Sequence, residues 1–301
     1  MNPLKRILIC LDNSETDEYI LRFSHNLFKK AEVEVIYFIH VAKSLDIPDE
    51  VAKKYPDLIA PVDEAVKRNF AFRINNYFEK DSYQLDVLEG DITREILKFS
   101  KRKRVDLLIM GHKSGKGTSD VIQRKLAKLS HISLLMIPEK EQTLQPIVVP
   151  IDFSKNSVRA LEQAIEIAKL NQVEIIAHHV YHVPSGYHKT GKSYEEFAQI
   201  MEQNSREEFK NFIEKFDTQG VSIKDEYSLD DDQNHADKIS GFAFNKNAGL
   251  IVIGSRGRTA MASLILGSVA EKVISLHKET PLLIVKDKNE NMDLIDAIFN
   301  L

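Results

Sequence analysis

The sequence lacks several features that would point to particular classes of protein. It contains one cysteine, Cys10, and no tryptophan, so no disulfide can form within the chain. No stretch approaches the roughly 18 apolar residues that a membrane-spanning helix needs, and no apolar run follows the charges of residues 1–6. Lys and Arg number 41 against 45 Asp and Glu, so no overall positive field favours nucleic acid or an anionic membrane. We therefore expect a cytoplasmic protein that binds neither.

What the sequence does contain is an internal repeat. Residues 5–14, KRILICLDNS, return as residues 145–154, QPIVVPIDFS. Each copy is a short apolar run that ends in Asp-x-Ser. This pattern predicts a strand buried on both faces, followed by the first residues of a helix.

Helical and strand patterns then alternate in the same order in both halves. Helices are predicted over 18–30, 70–80 and 93–102 in the first half, and over 157–170, 205–216 and 236–245 in the second. Further strands are predicted over 32–41, 105–111 and 133–137, and over 173–183, 248–254 and 281–285.

This alternation indicates the α/β class, because strands that are apolar on both sides need helices above and below a parallel sheet. We predict two tandem doubly wound domains, residues 1–142 and 143–288, joined near 139–144. Residues 289–301 carry apolar side chains at helical spacing, which predicts a C-terminal tail helix that docks on a domain or on a partner chain.

The residues after the strand 248–254 have the composition of a phosphate-binding loop. Gly254-Ser255-Arg256-Gly257-Arg258 is followed, nine residues beyond Gly257, by Gly267-Ser268 at the start of a predicted helix. Glycines allow main-chain N–H groups to approach phosphate oxygens, and a helix start offers unpaired amides and a positive dipole end. Arg256 and Arg258 would neutralise phosphate charge.

Together with Asp152, His179-Val180 and the strand 280–285, this spacing resembles the universal stress protein family over nearly the whole chain, twice. The resemblance implies a Rossmann-type five-stranded parallel sheet with helices on both faces, and ATP as the ligand, with or without Mg²⁺. It further implies the following contacts: adenosine with Asp152 and the main chain of Pro150, Ile151 and Val180, and the phosphates with Gly254, Gly257, Gly267 and Ser268.

The first half departs from this pattern. Asp12, Gly111 and Gly115 are present, but bulky and cationic residues 121–126 stand where the second half has Gly267-Ser268. Such side chains would fill the space that phosphates need, so we expect a degenerate site in the first domain.

A competing motif lies in the second half. Gly186–Ser193, GYHKTGKS, satisfies the P-loop pattern G-x-x-x-x-G-K-S and stands between a strand and a predicted helix. The predicted strand ends near residue 183, and Pro184 and Ser185 lie between it and this motif. This separation favours another interpretation, in which His188, Lys189 and Lys192 form a lid over the nucleotide.

Two clusters raise the question of a metal site. His178 and His182 share one face of a predicted strand, whereas His179 faces the other, so the three cannot converge without a bend. The acidic run Asp230–Asp232 precedes a predicted helix, where capping and solvation explain it. We predict no metal ligand, and no nucleophile, base and orienting acid at a recognisable spacing.

We interpret the chain as an ATP-binding stress-response or regulatory protein with at most slow ATP hydrolysis, whose two domains form a pseudo-dimer. Association of two chains into a homodimer is left open. One alternative is a scaffold that binds a protein or small-molecule partner without nucleotide, and another is a P-loop phosphotransferase that uses Gly186–Ser193.

Overall fold

The computed structural model describes residues 4–42, 49–55, 63–113, 118–232, 234–258 and 266–288. The predicted tail helix 289–301 lies outside the described residues.

In the described part of the first half, five strands are covered by helices. In chain order these elements are β1 Arg6–Cys10, α1 Thr16–Phe28, β2 Val35–Ala42, α2 Asp49–Lys54, α3 Asp63–Ile74, β3 Tyr83–Glu89, α4 Ile92–Arg102, β4 Leu107–His112, α5 Thr118–Leu129 and β5 Ser133–Pro138.

The second half repeats this succession, with a short 3₁₀ turn at Tyr187–Thr190. Its elements are β6 Ile147–Pro150, α6 Lys155–Asn171, β7 Ile175–Tyr181, α7 Tyr194–Ile213, β8 Ile223–Leu229, α8 His235–Asn245, β9 Leu250–Gly254, α9 Ser268–Leu276 and β10 Leu282–Val285.

The ten strands among the described residues join one sheet, in the order β3-β2-β1-β4-β5-β10-β9-β6-β7-β8. Neighbouring strands are parallel within each half, whereas β5 and β10 pair antiparallel, with Leu283 opposite Leu135. The order is therefore the same in the two halves, read outward from the central β5–β10 pair. The predicted α/β fold with tandem domains is confirmed, and the two domains form a pseudo-dimer through their last strands.

The core consists of two apolar layers, one on each face of this sheet. The first layer packs α1, α3, α6 and α7 against the sheet, with Phe70 and Phe212 among its buried side chains. The second packs α4, α5, α8 and α9, with Phe99 and Ile274. Removing an aliphatic or aromatic side chain of this size from water contributes about 1.5–3 kcal/mol, so both layers stabilise the sheet.

Some predicted elements were misplaced. α7 runs from Tyr194 to Ile213, so the helix predicted to begin near Tyr194 and the segment predicted over 205–216 form one helix, and α3 covers 63–74 rather than 70–80. The pattern also gave no strand at β3 or β8, which form the two edges of the sheet. Edge strands carry polar side chains and lack the continuous apolar run used to find the others.

Among the described residues, no helix combines the length and the apolar character that crossing a membrane requires.

Candidate functional site

The sheet brings the predicted residues of the second domain together at one edge. β6 and β9 are adjacent and parallel, so the chain leaves both strands on the same side. Strand order reverses between them, since β7 lies beyond β6 and β10 beyond β9. Crevices at such switch points are where open α/β sheets bind ligands. Asp152 follows β6 here, and the glycine motif follows β9.

Asp152 connects the two segments. Its Oδ1 accepts a hydrogen bond from the main-chain N–H of Ser154 at 3.0 Å, and its Oδ2 accepts one from the N–H of Arg258 at 3.0 Å. The Ser154 hydroxyl in turn accepts from Ser157 N at 3.2 Å and caps α6. The aspartate is thereby fixed at the mouth of the crevice, and each carboxylate oxygen retains a further lone pair.

Glycine is required in this motif because of close approaches. A Cβ on Gly254 would lie 2.8 Å from the backbone of Asn156 in α6, and one on Gly257 would lie 2.9 Å from Asp152 Oδ2. The first contact lets β9 pack against the start of α6. The second lets the loop reach the aspartate.

The later Gly-Ser opens α9 as predicted. Gly267 is the residue before the helix, and its N–H donates to Ser255 O at 2.7 Å, which ties the helix start to the loop after β9. Ser268 is exposed at the first helical position. The first-turn amides of a helix have no partners within the helix, so α9 presents donors and a positive dipole end beside the glycine loop.

A stack of side chains lies against Asp152. The Arg258 guanidinium sits 5.3 Å from the centre of the Phe153 ring and pairs with Glu208 at 3.2 Å. Phe153 packs on His179 at 4.7 Å, and His179 Nδ1 hydrogen-bonds Ile151 O at 2.7 Å. Burial lowers the pKa of His179 below its ordinary value.

Sequence reasoning missed Phe153 and Glu208 as parts of this site. Phe153 has a left-handed backbone, with φ of 62°, and Asn13 at the equivalent place in the first domain has 64°. The Asp-x-Ser repeat was the available signal for Phe153. Glu208 gave none, because it comes from the middle of α7.

The main-chain groups that were predicted to contact adenosine lie at the same edge. Pro150 and Ile151 are buried, and Ile151 N–H already donates to His178 O at 2.8 Å. Val180 is partly exposed and pairs with Ser228 of β8. Arg256 is also partly exposed, one residue before Gly257.

The equivalent edge of the first domain has different partners. The Lys113 ammonium forms an ion pair with Asp12, whose other oxygen accepts from the Ser14 hydroxyl at 2.5 Å. Burial acts to raise the pKa of Asp12, but the bonds from Lys113 and Ser14 outweigh it and hold the pKa below its usual value. Gly111 follows the same packing rule as Gly254, since its Cβ would lie 2.8 Å from Thr16. Gly115 lies outside the described residues.

The helix after this motif also differs from α9. Counting back from the helix ends Leu129 and Leu276 places Asp120 and Val121 where the second domain has Gly267 and Ser268. Asp120 is buried and pairs with Lys278 at 3.0 Å. A buried side chain with two cationic partners, Lys278 and Arg124, stands here in place of a glycine, which supports the expectation of a degenerate site.

The Gly186–Ser193 loop forms the 3₁₀ turn and the start of α7. β7 ends at Tyr181, before residues 182–185 and the loop. Ser193 Oγ accepts from Glu196 N at 3.1 Å, and the Glu196 side chain accepts from Ser193 N at 2.8 Å, a capping box. His188, Lys189 and Lys192 are exposed. Their role as a lid stays a prediction.

The histidines of β7 separate as predicted. His178 is buried, stacks on Phe242 at 3.8 Å and bonds Ser228 Oγ at 2.9 Å, on the face opposite to His179. Burial lowers its pKa to about 3. The rings of His182 and His235 lie 6.1 Å apart.

The acidic run 230–232 holds the start of α8. Its carboxylate oxygens lie within 4.8 Å of one another. Asp230 Oδ1 accepts from Asn234 N at 3.0 Å and its Oδ2 lies 2.6 Å from His235 Nδ1, while Lys238 pairs with Asp231 at 2.6 Å. Asp230 is therefore engaged by the first residues of α8, and Asp231 by Lys238.

Comparison with known proteins gives a consistent result. The model of the universal stress protein family matches residues 3–138 and again 143–286. Universal stress protein MJ0531 of Methanocaldococcus jannaschii is 34% identical over 163 residues, which are 54% of this chain and 93% of that protein. Universal stress protein YxiE of Bacillus subtilis is 33% identical over 148 residues, 46% of this chain and 97% of that protein.

A solved structure of similar length shows the same fold. A universal stress protein from Archaeoglobus fulgidus covers 94% of this chain and 97% of its own, with a TM-score of 0.61 and 21% identity.

Proposed function

This chain belongs to the universal stress protein family, and from that premise we propose that its second domain binds ATP. Occupancy of this site would regulate the protein in the stress response. One observation carries the proposal: the Arg258 N–H to Asp152 Oδ2 bond joins the aspartate and the glycine motif at the carboxyl edge of β6 and β9.

The residues present fit the parts of ATP. Asp152 offers acceptor positions for ribose hydroxyls, and the exposed Ser268 hydroxyl and first-turn amides of α9 offer donors for phosphates. Arg256 and Arg258 supply positive charge. Mg²⁺ is carried largely by phosphate oxygens and its own waters, so the proposal covers ATP with and without it.

The proposal includes slow turnover at most. Asp152 is assigned to the ribose in this proposal, and Glu208 is paired with Arg258, so neither carboxylate is left to activate a water beside the phosphates. A general base needs a free acceptor directed at the attacking water. We also propose a cytoplasmic location, and association of two chains remains a prediction.

The test measures the equilibrium affinity for ATP and for adenosine by calorimetry. Ser268→Glu places a negative charge at the start of α9, where an acidic residue is compatible with the helix dipole. We expect it to weaken ATP binding by about tenfold or more through charge repulsion, and to leave adenosine binding unchanged.

Asp152→Asn should weaken both ligands, whereas its matched control in the first domain, Asp12→Asn, should weaken neither. If the wild-type protein binds no ATP, the proposal is wrong and the scaffold interpretation takes its place. If Lys192→Ala alone abolishes binding and turnover, the P-loop interpretation is favoured.

A further inference from the structure

The C-terminal end of α9 is held by the first domain. His112, the last residue of β4, is fully buried, and its Nε2 lies 3.0 Å from the Ile274 carbonyl oxygen of α9. Ile274 is among the last four residues of the helix, whose carbonyls have no partner within it. The imidazole therefore donates from Nε2 and caps the helix.

A second contact holds the chain just after α9. The Lys278 ammonium pairs with Asp120 at 3.0 Å and lies 3.4 Å from the Lys113 carbonyl oxygen. His112 and Lys113 both follow Gly111, so the glycine motif of the first domain contacts the far end of the helix that carries Gly267-Ser268.

The reverse contact exists but uses another residue. Lys286, at the end of β10, donates to the carbonyls of Ala127 and Ser130 at the end of α5, at 2.5 and 2.7 Å. Ser255 stands where the first domain has His112, and its buried hydroxyl has no hydrogen-bond partner among the described residues. The helices that follow the two glycine motifs, α5 and α9, thus each end against the other domain.

The placement of α9 depends on this anchor for a physical reason. The helix has nine residues and is a rod about 13 Å long, so contacts at its two ends together set its direction. Its start is tied to the loop after β9 by the Gly267 N–H bond to Ser255 O, and its end is held by the His112 bond to Ile274 O. The contact at Ile274 is therefore one of the two restraints on where the first-turn amides point.

We propose that the first domain, in which the equivalent aspartate Asp12 is paired with Lys113, positions the nucleotide phosphates in the second domain, with His112 as the positioning residue. The inference rests on the proposed ATP site and extends it: phosphate binding, but not adenosine binding, requires the contact between His112 and Ile274. Burial lowers the pKa of His112 to about 4, so the cap is neutral at physiological pH and acts through its hydrogen bond.

The experiment compares His112→Met with His112→Gln in the full chain. Methionine fills a similar volume without a donor, whereas the glutamine amide can donate to the same carbonyl. We expect His112→Met to weaken ATP binding about fivefold or more while adenosine binding is retained, a typical size for coupling between sites. His112→Gln should restore ATP affinity. If the substitution only destabilised the helix, His112→Met would weaken ATP and adenosine binding together, and His112→Gln would not restore ATP affinity.

A second pair guards against misfolding of the His112 variants. Lys278→Met removes the partly exposed partner of Asp120, and we expect the same selective loss of ATP affinity. Its matched control, Lys140→Met, removes an exposed ion pair to Glu279 and should leave both affinities unchanged. Equal ATP affinity in wild type, His112→Met and Lys278→Met would overturn the inference while leaving the ATP site intact. Absence of ATP binding in the wild type would instead remove the site on which it rests.

Discussion

At the scale of single residues, Asp12 and Asp152 occupy the same position after the first strand of each domain but have different partners. Asp152 accepts the Arg258 N–H and leaves the crevice edge accessible, whereas Asp12 is paired with the Lys113 ammonium. Nearby, Asp17 accepts the N–H groups of Asp12 and Asn13 and pairs with Arg73 at 3.1 Å. These contacts are the reason for expecting a degenerate site in the first domain.

A single glycine determines how the linker between the domains packs. A Cβ on Gly249 would lie 1.9 Å from the Thr143 carbonyl oxygen and 2.4 Å from Gln145 N, both of them backbone atoms. We expect Gly249→Ala to reduce the free energy of unfolding by about 2 kcal/mol or more, because the linker backbone must move. Urea unfolding measures this.

The control is Gly241→Ala. Gly241 lies inside α8 with open space around it, so alanine should stabilise the helix by about 0.5–1 kcal/mol. Equal effects of the two substitutions would contradict the packing assigned to Gly249.

At the scale of elements, the loop Gly186–Ser193 matches the P-loop pattern, and its last residue caps helix α7. The tyrosine ring of Tyr187 packs on Tyr194 and Phe197, and this holds the 3₁₀ turn against α7. Ser193 and Glu196 cap that helix reciprocally. In a P-loop, the serine hydroxyl would instead bind Mg²⁺.

Ser193→Ala tests this assignment. Loss of an N-cap hydroxyl costs about 1 kcal/mol, so we expect a lower midpoint of urea unfolding and unchanged ATP affinity. A large loss of ATP affinity or of turnover, without a change in stability, would be the result expected of a P-loop.

At the scale of the whole molecule, the central β5–β10 pair places charged groups between the domains. Lys286 is 6% exposed and lies close to Arg256 of the candidate site. Burial lowers the pKa of Lys286 to about 7, and the positive charge of Arg256 adds to the decrease. The ordinary lysine pKa is near 10.4, so the unfolded chain binds a proton between these values that the folded chain does not.

The stability of the wild type should therefore rise with pH between about 7 and 10, relative to Lys286→Met. Below pH 7 the lysine is charged in both states, and the difference between the two proteins should stay constant. Between pH 7 and pH 9, we expect the free energy of unfolding of the wild type to increase relative to that of Lys286→Met, by no more than about 1.4 kcal/mol per pH unit. Urea unfolding of both proteins at these pH values checks it, and a constant difference would show that Lys286 titrates normally.

The sequence by itself determined the repeat, the buried strands and the glycine motif with Asp152, because continuous apolar runs and short-range spacing are local properties of the chain. It could not give the polar edge strands β3 and β8, since their pairing depends on neighbours distant in sequence. Only the tertiary structure joined Arg258 to Asp152, Lys113 to Asp12 and His112 to Ile274. Each of these contacts links segments about 100 residues or more apart, and the order in which strands assemble into a sheet is what brings such segments together.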